Sequence, residues 1–409
     1  MLTVANRRHD GKPGQGGQAS LREAIAWIDG WAAPLRAEEV ALADAVGRVL
    51  AGDVVAPLDL PLADRAAADG FALRADETVG ASPYNPLSFH LASPSAPVTA
   101  GSAVAVRSGD ALPAGADAIV RSELAVPDAR GSIGVIAPVF AGSEVEGKGS
   151  HVARGSVLVA AGRHLDPADI GLLALAGVDR VCAVGQPRVH CVLISDRLAA
   201  AGMTLAPDET YDANGPLLAA LIGRDGGLVT EIRRTDGDRA ALHKVLLAPD
   251  ADIVLVAGGT GPGPSDHGAA VLAEVGELAM HRVALRPGDS AGAGRAAGVP
   301  VFLLPGPPAA CLWAYELLAG RAVRGLAGRV PEPAYVPQEL RVARKIVSEV
   351  GTVDVCPVRR TSNLDVEPMP SFAEAGLAAA AHADGFVLMP EGSEGYPQGA
   401  TVTVYLRHR

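Results

Sequence analysis

The stretch that decides the fold is Asp252-Ile253-Val254-Leu255-Val256-Ala257-Gly258-Gly259-Thr260-Gly261-Pro262-Gly263-Pro264-Ser265-Asp266. Its first part is apolar and β-branched, which predicts a buried strand. The cluster of Gly and Pro after it predicts a turn, here called the Gly258 turn (residues 258–266). Ser265 or Asp266 is then expected to cap a helix over residues 267–275, since either side chain can accept bonds from the first backbone N–H groups.

A strand, a glycine turn and a helix N-terminus in succession favour an anion site, because backbone N–H groups approach closely and the helix dipole attracts negative charge. The spacing fits neither GxGxxG nor GxxxxGK[ST], so neither motif supports a dinucleotide or Walker site. An ordinary tight turn between strand and helix explains the stretch equally well. The candidate ligand-binding residues within it are Gly258, Gly259, Thr260, Gly261, Gly263 and Ser265.

Strands and helices alternate from Arg188 onward, which predicts a doubly wound α/β domain over residues 187–330 with a mainly parallel sheet. The expected strands are 189–194, 228–232, 252–257 and 299–304, and the expected helices are 215–222, 238–247, 265–275 and 308–318. Ligands of such sheets bind at the carboxyl ends of strands. Three turns lie there: Ser195-Asp196-Arg197, the Gly258 turn, and Pro305-Gly306-Pro307-Pro308.

The chain before this domain changes character twice. Residues 61–149 show short strands between Gly, Pro and Ser turns, which predicts an inserted β-rich domain. Residues 20–60 and 150–186 together predict an elongated helical linking domain. Its helices are one opened by a capping box at Ser20 and Glu23, a short one over residues 42–49, and one started by Asp166 and Pro167.

The two ends of the chain differ as well. Residues 1–19 are polar and Gly-rich, which predicts a disordered tail. Residues 331–409 return to short strands and predict a small C-terminal β-barrel. The fold class expected for the whole chain is therefore multidomain α/β.

Composition excludes several function classes. Among 409 residues, 35 basic and 46 acidic side chains give a net charge of −11, which argues against nucleic acid or an anionic membrane surface as the main partner. The four cysteines show no CxxC spacing and indicate free thiols in a reducing compartment. No apolar run reaches the roughly 18 residues of a membrane span, and the N-terminus lacks the apolar segment of a signal peptide. A cytoplasmic protein is expected.

Five further segments occur in a distinctive order. They are Gly47–Ala51 with Asp53–Pro57, Asp64–Ala72, Ser108–Pro113, Tyr211–Asn214, and Leu304–Pro308. In that order they resemble GR-L-A-DV-P, D-N-S-A-M-D-G-Y-A, T-G-A-x-x-P, Y-D-x-N and L-P-G-N-P of the molybdopterin molybdenumtransferase family (MoeA and the gephyrin E domain). The resemblance extends from about Ser20 to the C-terminus and depends on the order of these segments more than on any single motif.

This resemblance implies an activity and a site. It implies an elongated homodimer that transfers molybdate to adenylylated molybdopterin, releases AMP and uses Mg²⁺, with a recipient molybdoenzyme or another cofactor-handling protein as a further partner. The cleft is expected between the α/β domain of one subunit and the inserted domain of the other. Asp69 and Asp266 are the implied catalytic carboxylates and metal ligands. The implied contacts of the pterin nucleotide, besides the Gly258 turn, are Ser195, Asp212, Asn214, Arg286, Pro305 and Gly306. Structural roles explain these residues equally well: capping of its turn by Asp69, capping of the following helix by Asp212 and Asn214, and a solvated surface position for Arg286.

The chain departs from the family motifs at this cleft. T-G-D-E-L becomes Ser195-Asp196-Arg197-Leu198, G-G-V-S-V-G-x-x-D becomes the Gly258 turn, K-P-G-K-P becomes Arg286-Pro287-Gly288-Asp289-Ser290, and G-E-D becomes Gly149-Ser150-His151.

Arg286 keeps the fork that suits a phosphate, whereas Asp289 repels one. His151 lacks the hard oxygen that Mg²⁺ prefers. Losing a charge-assisted contact of about 1.5–3 kcal/mol weakens anion binding about ten- to a hundredfold. A non-catalytic carrier or scaffold that kept the cleft is therefore the alternative function.

Overall fold

A computed structural model describes residues 18–128, 131–195, 197–236 and 238–407, without the side chain of Phe372. The chain forms two compact units. The first comprises Met1–Glu38, Gly47–Val49 and Val184–Arg409, and the second comprises Glu39–Val46 and Leu50–Ala183. Most of the predicted N-terminal tail lies outside the described residues. Ala19, which was assigned to that tail, instead forms an isolated parallel bridge with Val283 in the first unit.

A six-stranded sheet forms the centre of the first unit. Its strands, in spatial order, are Leu228–Thr235, Arg188–Ile194, Ile253–Ala257, Val299–Leu304, Gly292–Ala296 and Gly276–His281. The first four are parallel, and the last two join antiparallel at one edge. The sequence did not predict this antiparallel pair, because the two strands approach closely through glycine and not through β-branched residues. A Cβ at Gly294 would lie 2.0 Å from the carbonyl oxygen of Glu277.

Several helices accompany this sheet, and the first of them precedes its strands in the chain. They are Leu21–Asp29, Asn214–Arg224, Arg239–Leu247, Gly268–Val275 and Pro308–Ala314, the last continuing through the π-helical turn Tyr315–Ala319 into Gly320–Leu326. The capping box of Ser20 and Glu23 is present as predicted. The helix Leu21–Asp29 packs on the core of the α/β domain. The sequence had predicted that it belongs with residues 150–186.

The order of the strands defines a switch point in the sheet. The chain runs from Arg188–Ile194 to the edge strand Leu228–Thr235 and then returns past it to Ile253–Ala257. The connections therefore leave these two neighbouring strands in opposite directions, which opens a crevice at their carboxyl ends. The Gly258 turn follows one of them directly, so its predicted place at the carboxyl edge of the sheet is confirmed.

The C-terminal residues form the predicted barrel. Five strands close a ring: Val336–Val342, Val353–Arg360, Asp365–Pro368, Gly385–Met389 and Thr401–Leu406. A sixth short strand, Leu285–Arg286, comes from the α/β domain and pairs in parallel with Val353–Arg360. Ile346–Val347 and Gly395–Tyr396 add a small antiparallel pair, and the helix Phe372–His382 was not predicted.

The second unit contains the inserted β-rich domain. Its six-stranded sheet has the order Ala118–Arg121, Gly70–Leu73, Ser102–Val106, Leu87–Leu91, Ser132–Val135 and Ala125–Pro127. Two short antiparallel pairs accompany it, Val54–Val55 with Val157–Val159 and Arg65–Ala66 with Val145–Glu146. The helix Pro167–Leu175 begins at Asp166 as predicted, since that side chain accepts bonds from Ala168 and Asp169. Ala37–Ala41 and Arg180–Val184 are further strands.

The predicted helix over residues 42–49 is wrong. The structure contains only a 3₁₀ turn at Leu42–Asp44. Gly47 then adopts a φ of +77°, which ends any helix there, and Leu50 forms a bridge with Ala183. No helix in the described ranges is long and apolar enough to cross a bilayer.

Candidate functional site

The Gly258 turn passes very close to the neighbouring strand. Gly258 has a φ of +88°, and a Cβ there would lie 2.5 Å from the carbonyl oxygen of Ile194. A side chain at this position is therefore excluded both by the backbone conformation and by the neighbouring backbone. Close packing on the neighbouring strand therefore explains Gly258, as it would in an ordinary tight turn between strand and helix.

Asp266 organises the second half of this turn. Its Oδ2 accepts a hydrogen bond from the backbone N–H of Gly263 at 3.0 Å. A Cβ at Gly261 or Gly263 would lie 2.8 or 2.9 Å from the same oxygen, so both glycines make room for the carboxylate. The helix begins only at Gly268, with His267 as an N-cap that makes no side-chain bond. The prediction that Ser265 or Asp266 caps this helix is therefore wrong, and Ser265 lies exposed in the turn.

Thr260 links the Gly258 turn to the Arg286 turn (residues 286–290). Its side chain is buried, and its Oγ1 lies 3.2 Å from the Oγ of Ser290 and 3.3 Å from the carbonyl oxygen of Leu304. The Nε2 of His281 donates to the carbonyl oxygen of Thr260 at 2.9 Å. Two turns that are separate in the sequence are thus fixed against each other at the edge of the sheet.

Asp212 and Asn214 lie at the start of the helix Asn214–Arg224, and both are buried. The carboxylate of Asp212 accepts from the N–H of Gly215 at 2.8 Å and from Nη2 of Arg234 at 2.7 Å. Asn214 donates from Nδ2 to the carbonyl oxygen of Gly306 at 2.8 Å. Its buried Oδ1 has no hydrogen-bond partner among the residues that the structure describes. Since an unpaired buried carbonyl oxygen is costly, this atom is suited to accept a bond from a ligand N–H or a water.

The remaining predicted positions of this edge adjoin the same crevice. A Cβ at Gly306, which follows Pro305, would lie 3.6 Å from the Cα of Gly258, so these two turns are neighbours. Ser195 accepts at Oγ from the N–H of Arg197 at 3.1 Å. Asp196 lies outside the described residues.

Arg286, which the sequence predicts as a phosphate-binding cation, is paired with two carboxylates in the structure. Its Nε donates to Oδ1 of Asp354 at 2.5 Å, its Nη2 pairs with the other oxygen of Asp354, and its Nη1 pairs with Glu349. The hydrogen bond to Asp354, followed by that to Glu349, raises the pKa of Arg286. Two carboxylates therefore already neutralise this guanidinium. Neither was visible as a partner in the sequence, because Asp354 is 68 residues away.

The Arg286 turn also lines a cleft of about 930 Å³ between the α/β domain and the barrel. Its lining includes the cations Arg286, Arg344 and Lys345, the carboxylates of Asp354 and Glu374, and apolar side chains such as Ile346, Met369 and Met389. Arg344 and Lys345 were not predicted as site residues. Two adjacent cations in a strand-rich segment were the available signal, but such a pair more often lies on a solvated surface.

Asp69 belongs to the second unit. It is exposed, immediately precedes the strand Gly70–Leu73, and accepts at Oδ1 from the N–H of Ser108 at 2.8 Å. A Cβ at Gly70 would lie 2.1 Å from the carbonyl oxygen of Val120, so the packing of the sheet explains the glycine after Asp69.

The metal-binding prediction depends on Asp69 and Asp266 alone. Within residues 18–128, 131–195, 197–236 and 238–407 there is no group of three or more His, Cys, Asp or Glu side chains arranged to hold a metal. Mg²⁺ commonly uses only one or two carboxylates, and it completes its shell with water and substrate phosphates. Each of the two aspartates offers a carboxylate, which is the kind of hard oxygen ligand that Mg²⁺ prefers.

A doubly wound sheet with a glycine turn at its switch point, followed by a closed barrel, defines a multidomain α/β protein of the kind that binds ligands at the carboxyl edge of its sheet. Three family models match this chain. The "MoeA N-terminal region (domain I and II)" matches residues 19–177, the "Probable molybdopterin binding domain" matches 191–324, and the "MoeA C-terminal region (domain IV)" matches 339–406.

Individual relatives lead to the same family. The chain is 33% identical over 322 residues to molybdopterin molybdenumtransferase 2 of Mycobacterium tuberculosis, covering 72% of this chain and 76% of the relative. It is 28% identical over 399 residues to the molybdopterin molybdenumtransferase of Staphylococcus aureus, covering 94% and 95%. A crystal structure of the MoeA protein from Pyrococcus horikoshii superimposes with a TM-score of 0.77 at 29% identity, over 95% of this chain and 99% of that one. The chain belongs to the MoeA family of molybdopterin molybdenumtransferases, as its motifs predicted.

Proposed function

We propose that this protein transfers molybdate to adenylylated molybdopterin and releases AMP. One observation carries the proposal: motif positions from distant parts of the chain meet at one edge of the sheet. Asn214 bonds Gly306 at 2.8 Å, Gly306 adjoins Gly258, and Thr260 bonds Ser290 at 3.2 Å, so one helix start and three turns meet there. The relatives are named molybdopterin molybdenumtransferases, which supports the transfer of molybdenum.

Each part of this edge has a proposed role. The Gly258 turn, Ser195, Pro305 and Gly306 present backbone and small groups to the pterin nucleotide. The unpaired Oδ1 of Asn214 accepts one of its N–H groups, and Asp212 holds the helix start in place. Arg286, Arg344 and Lys345, which line the cleft beside the barrel, are the proposed contacts of the oxyanion.

Asp69 and Asp266 are the proposed catalytic carboxylates and Mg²⁺ ligands. Mg²⁺, when bound, would offset the negative charge of the substrate phosphates. We further propose a homodimer, since the family resemblance places Asp69 of one subunit opposite the Gly258 turn of its partner. A recipient molybdoenzyme or another cofactor-handling protein is the proposed downstream partner. A reducing cytoplasmic compartment suits the four free cysteines.

An AMP-release assay tests the proposal. The full-length protein is incubated with adenylylated molybdopterin, molybdate and Mg²⁺, and AMP is quantified over time. We expect release that depends on molybdate and that falls at least tenfold in Asp69→Asn and Asp266→Asn, because an amide is a poorer ligand for a hard cation. Asp250→Asn serves as the matched control, since Asp250 pairs with Arg188 at an exposed position away from the crevice.

The same assay separates enzyme from carrier. A protein that binds the pterin nucleotide but releases no AMP at any molybdate concentration would be the non-catalytic carrier. Light scattering tests the dimer independently, and a monomer at micromolar concentration, with and without ligand, would contradict a cleft shared between subunits.

A further inference from the structure

The two carboxylates around Arg286 differ in how firmly they are held. The side chain of Asp354 is only 6% exposed, and it receives a second hydrogen bond from the hydroxyl of Ser348 at 2.7 Å. The side chain of Glu349 is 78% exposed and pairs with Nη1 of Arg286 from the solvent side. Asp354 is therefore a fixed partner, and Glu349 is a loosely held one.

This difference decides which partner an incoming anion can replace. Removing one member of a buried, hydrogen-bonded ion pair is strongly unfavourable, because it leaves an uncompensated charge. An exposed pair contributes little, since water and salt compete with it and two side chains must be ordered. An anion that approaches Nη1 of Arg286 from the solvent side thus competes with Glu349 and leaves Asp354 in place.

We propose that Glu349 is a displaceable counter-ion that occupies Nη1 of Arg286 until an oxyanion takes its place. This inference rests on the proposed function, in which the oxyanion is molybdate. Displacement frees the outer edge of the guanidinium, while Asp354 keeps the inner edge oriented. Arg286 also lines one cleft with Arg344 and Lys345, together with the carboxylates of Asp354 and Glu374. Glu349 thereby sets the oxyanion concentration at which the site fills.

Titration calorimetry of the full-length protein with sodium molybdate alone tests this role. We expect Glu349→Gln to lower the Kd for molybdate about fivefold, the factor that corresponds to an exposed ion pair of about 1 kcal/mol. The gain should shrink as salt rises, because an exposed charge is screened. Asp250→Asn is the matched control: it removes one carboxylate from an exposed arginine pair elsewhere in the same unit and should leave the Kd unchanged.

A second background makes the inference specific to Arg286. In Arg286→Met, a further Glu349→Gln change should have no effect, because there is no guanidinium to release. An unchanged or higher Kd in Glu349→Gln, or an equal gain in the Arg286→Met background, overturns the role of Glu349 while the proposed function stands. A wild-type protein that neither binds molybdate nor releases AMP overturns the proposed function itself.

Discussion

The hydroxyl groups of Thr260 and Ser290 lie 3.2 Å apart and join the Gly258 turn to the Arg286 turn. The family motifs that these turns resemble, G-G-V-S-V-G and K-P-G-K-P, have Val and Pro at the two positions. Both departures therefore fall on residues that contact each other, and together they form a bond that the motif residues lack. Thr260 and Ser290 each depart from a family motif, and through this contact the two residues form one structural unit.

Thr260→Val tests this unit, because it removes the hydroxyl and keeps the volume. We expect a loss of about 1 kcal/mol in the free energy of unfolding and a severalfold rise in the KM for the pterin nucleotide. Thr230→Val is the matched control, since its hydroxyl bonds the carbonyl oxygen of Val189 in the same sheet. Urea unfolding and steady-state kinetics measure both quantities, and equal effects of the two variants would deny Thr260 a special role.

Gly261→Ser restores the hydroxyl that the family motif has at this position. We expect it to lower activity, because a Cβ at Gly261 would lie 2.8 Å from Oδ2 of Asp266 and push the carboxylate from its place. The loss of activity in Gly261→Ser should be at least as large as that in Asp266→Asn if both substitutions act through the Asp266 carboxylate. AMP release is the measurement, and an activity above wild type would show that the turn adapts freely.

Asp289→Lys reverses an exposed charge in the Arg286 turn. We expect binding of AMP or a pterin phosphate to tighten about tenfold, near 1.4 kcal/mol, and Arg286→Ala to weaken it similarly. Higher salt should reduce the effect of Asp289→Lys. Calorimetry that shows no change in either variant would place the bound anion away from this turn.

Glu316→Gln tests the buried ion network behind the sheet. Glu316 is fully buried and accepts from Nη1 of Arg224 at 2.7 Å and from the hydroxyl of Tyr335 at 2.8 Å. We expect a loss of up to about 3 kcal/mol in the free energy of unfolding, measured with urea, because Arg224 loses one of its two carboxylate partners and keeps only Asp225. Glu367→Gln, which breaks the exposed pair with Arg359, should cost no more than about 1 kcal/mol.

His190 gives the stability a dependence on pH. Burial lowers the pKa of His190 below its ordinary value of 6.5, so the folded state binds its proton more weakly than the unfolded state does. The stabilisation is complete above that pH and is lost as the pH falls through the lower folded pKa. Urea unfolding between about pH 7.5 and 5.5 should show this loss, and His190→Phe should reduce it. Because Glu231 opposes the shift, Glu231→Gln should steepen the dependence, and a flat wild-type profile would contradict the argument.

The sequence predicted the elements whose local pattern is strong. Ile253–Ala257 is an apolar β-branched run, and the helix at Asp166 and Pro167 carries clear start signals. Gly292–Ala296 was missed because its strand depends on close backbone approach, which a propensity pattern does not show. The helix expected over residues 42–49 was wrong because Gly47 adopts a positive φ within it.

The site divides in the same way. The Gly258 turn and Asn214 follow from local motifs, and the structure brings them to one edge through Gly306. The partners of Arg286 lie in the barrel domain, and no local pattern reports which carboxylate a folded chain brings to it. Long-range ion pairs of this kind are fixed by tertiary packing alone.

The short strand Leu285–Arg286 has a consequence for the modularity of the chain. Because it pairs with Val353–Arg360, the α/β domain and the barrel share a hydrogen-bond ladder rather than a flexible tether. A fragment that stops before the barrel would expose the edge of that ladder and leave Arg286 without Asp354. The C-terminal domain thus supplies part of the surroundings of the Arg286 turn, so exchanging that domain between family members would also exchange the ion-pair partners of Arg286.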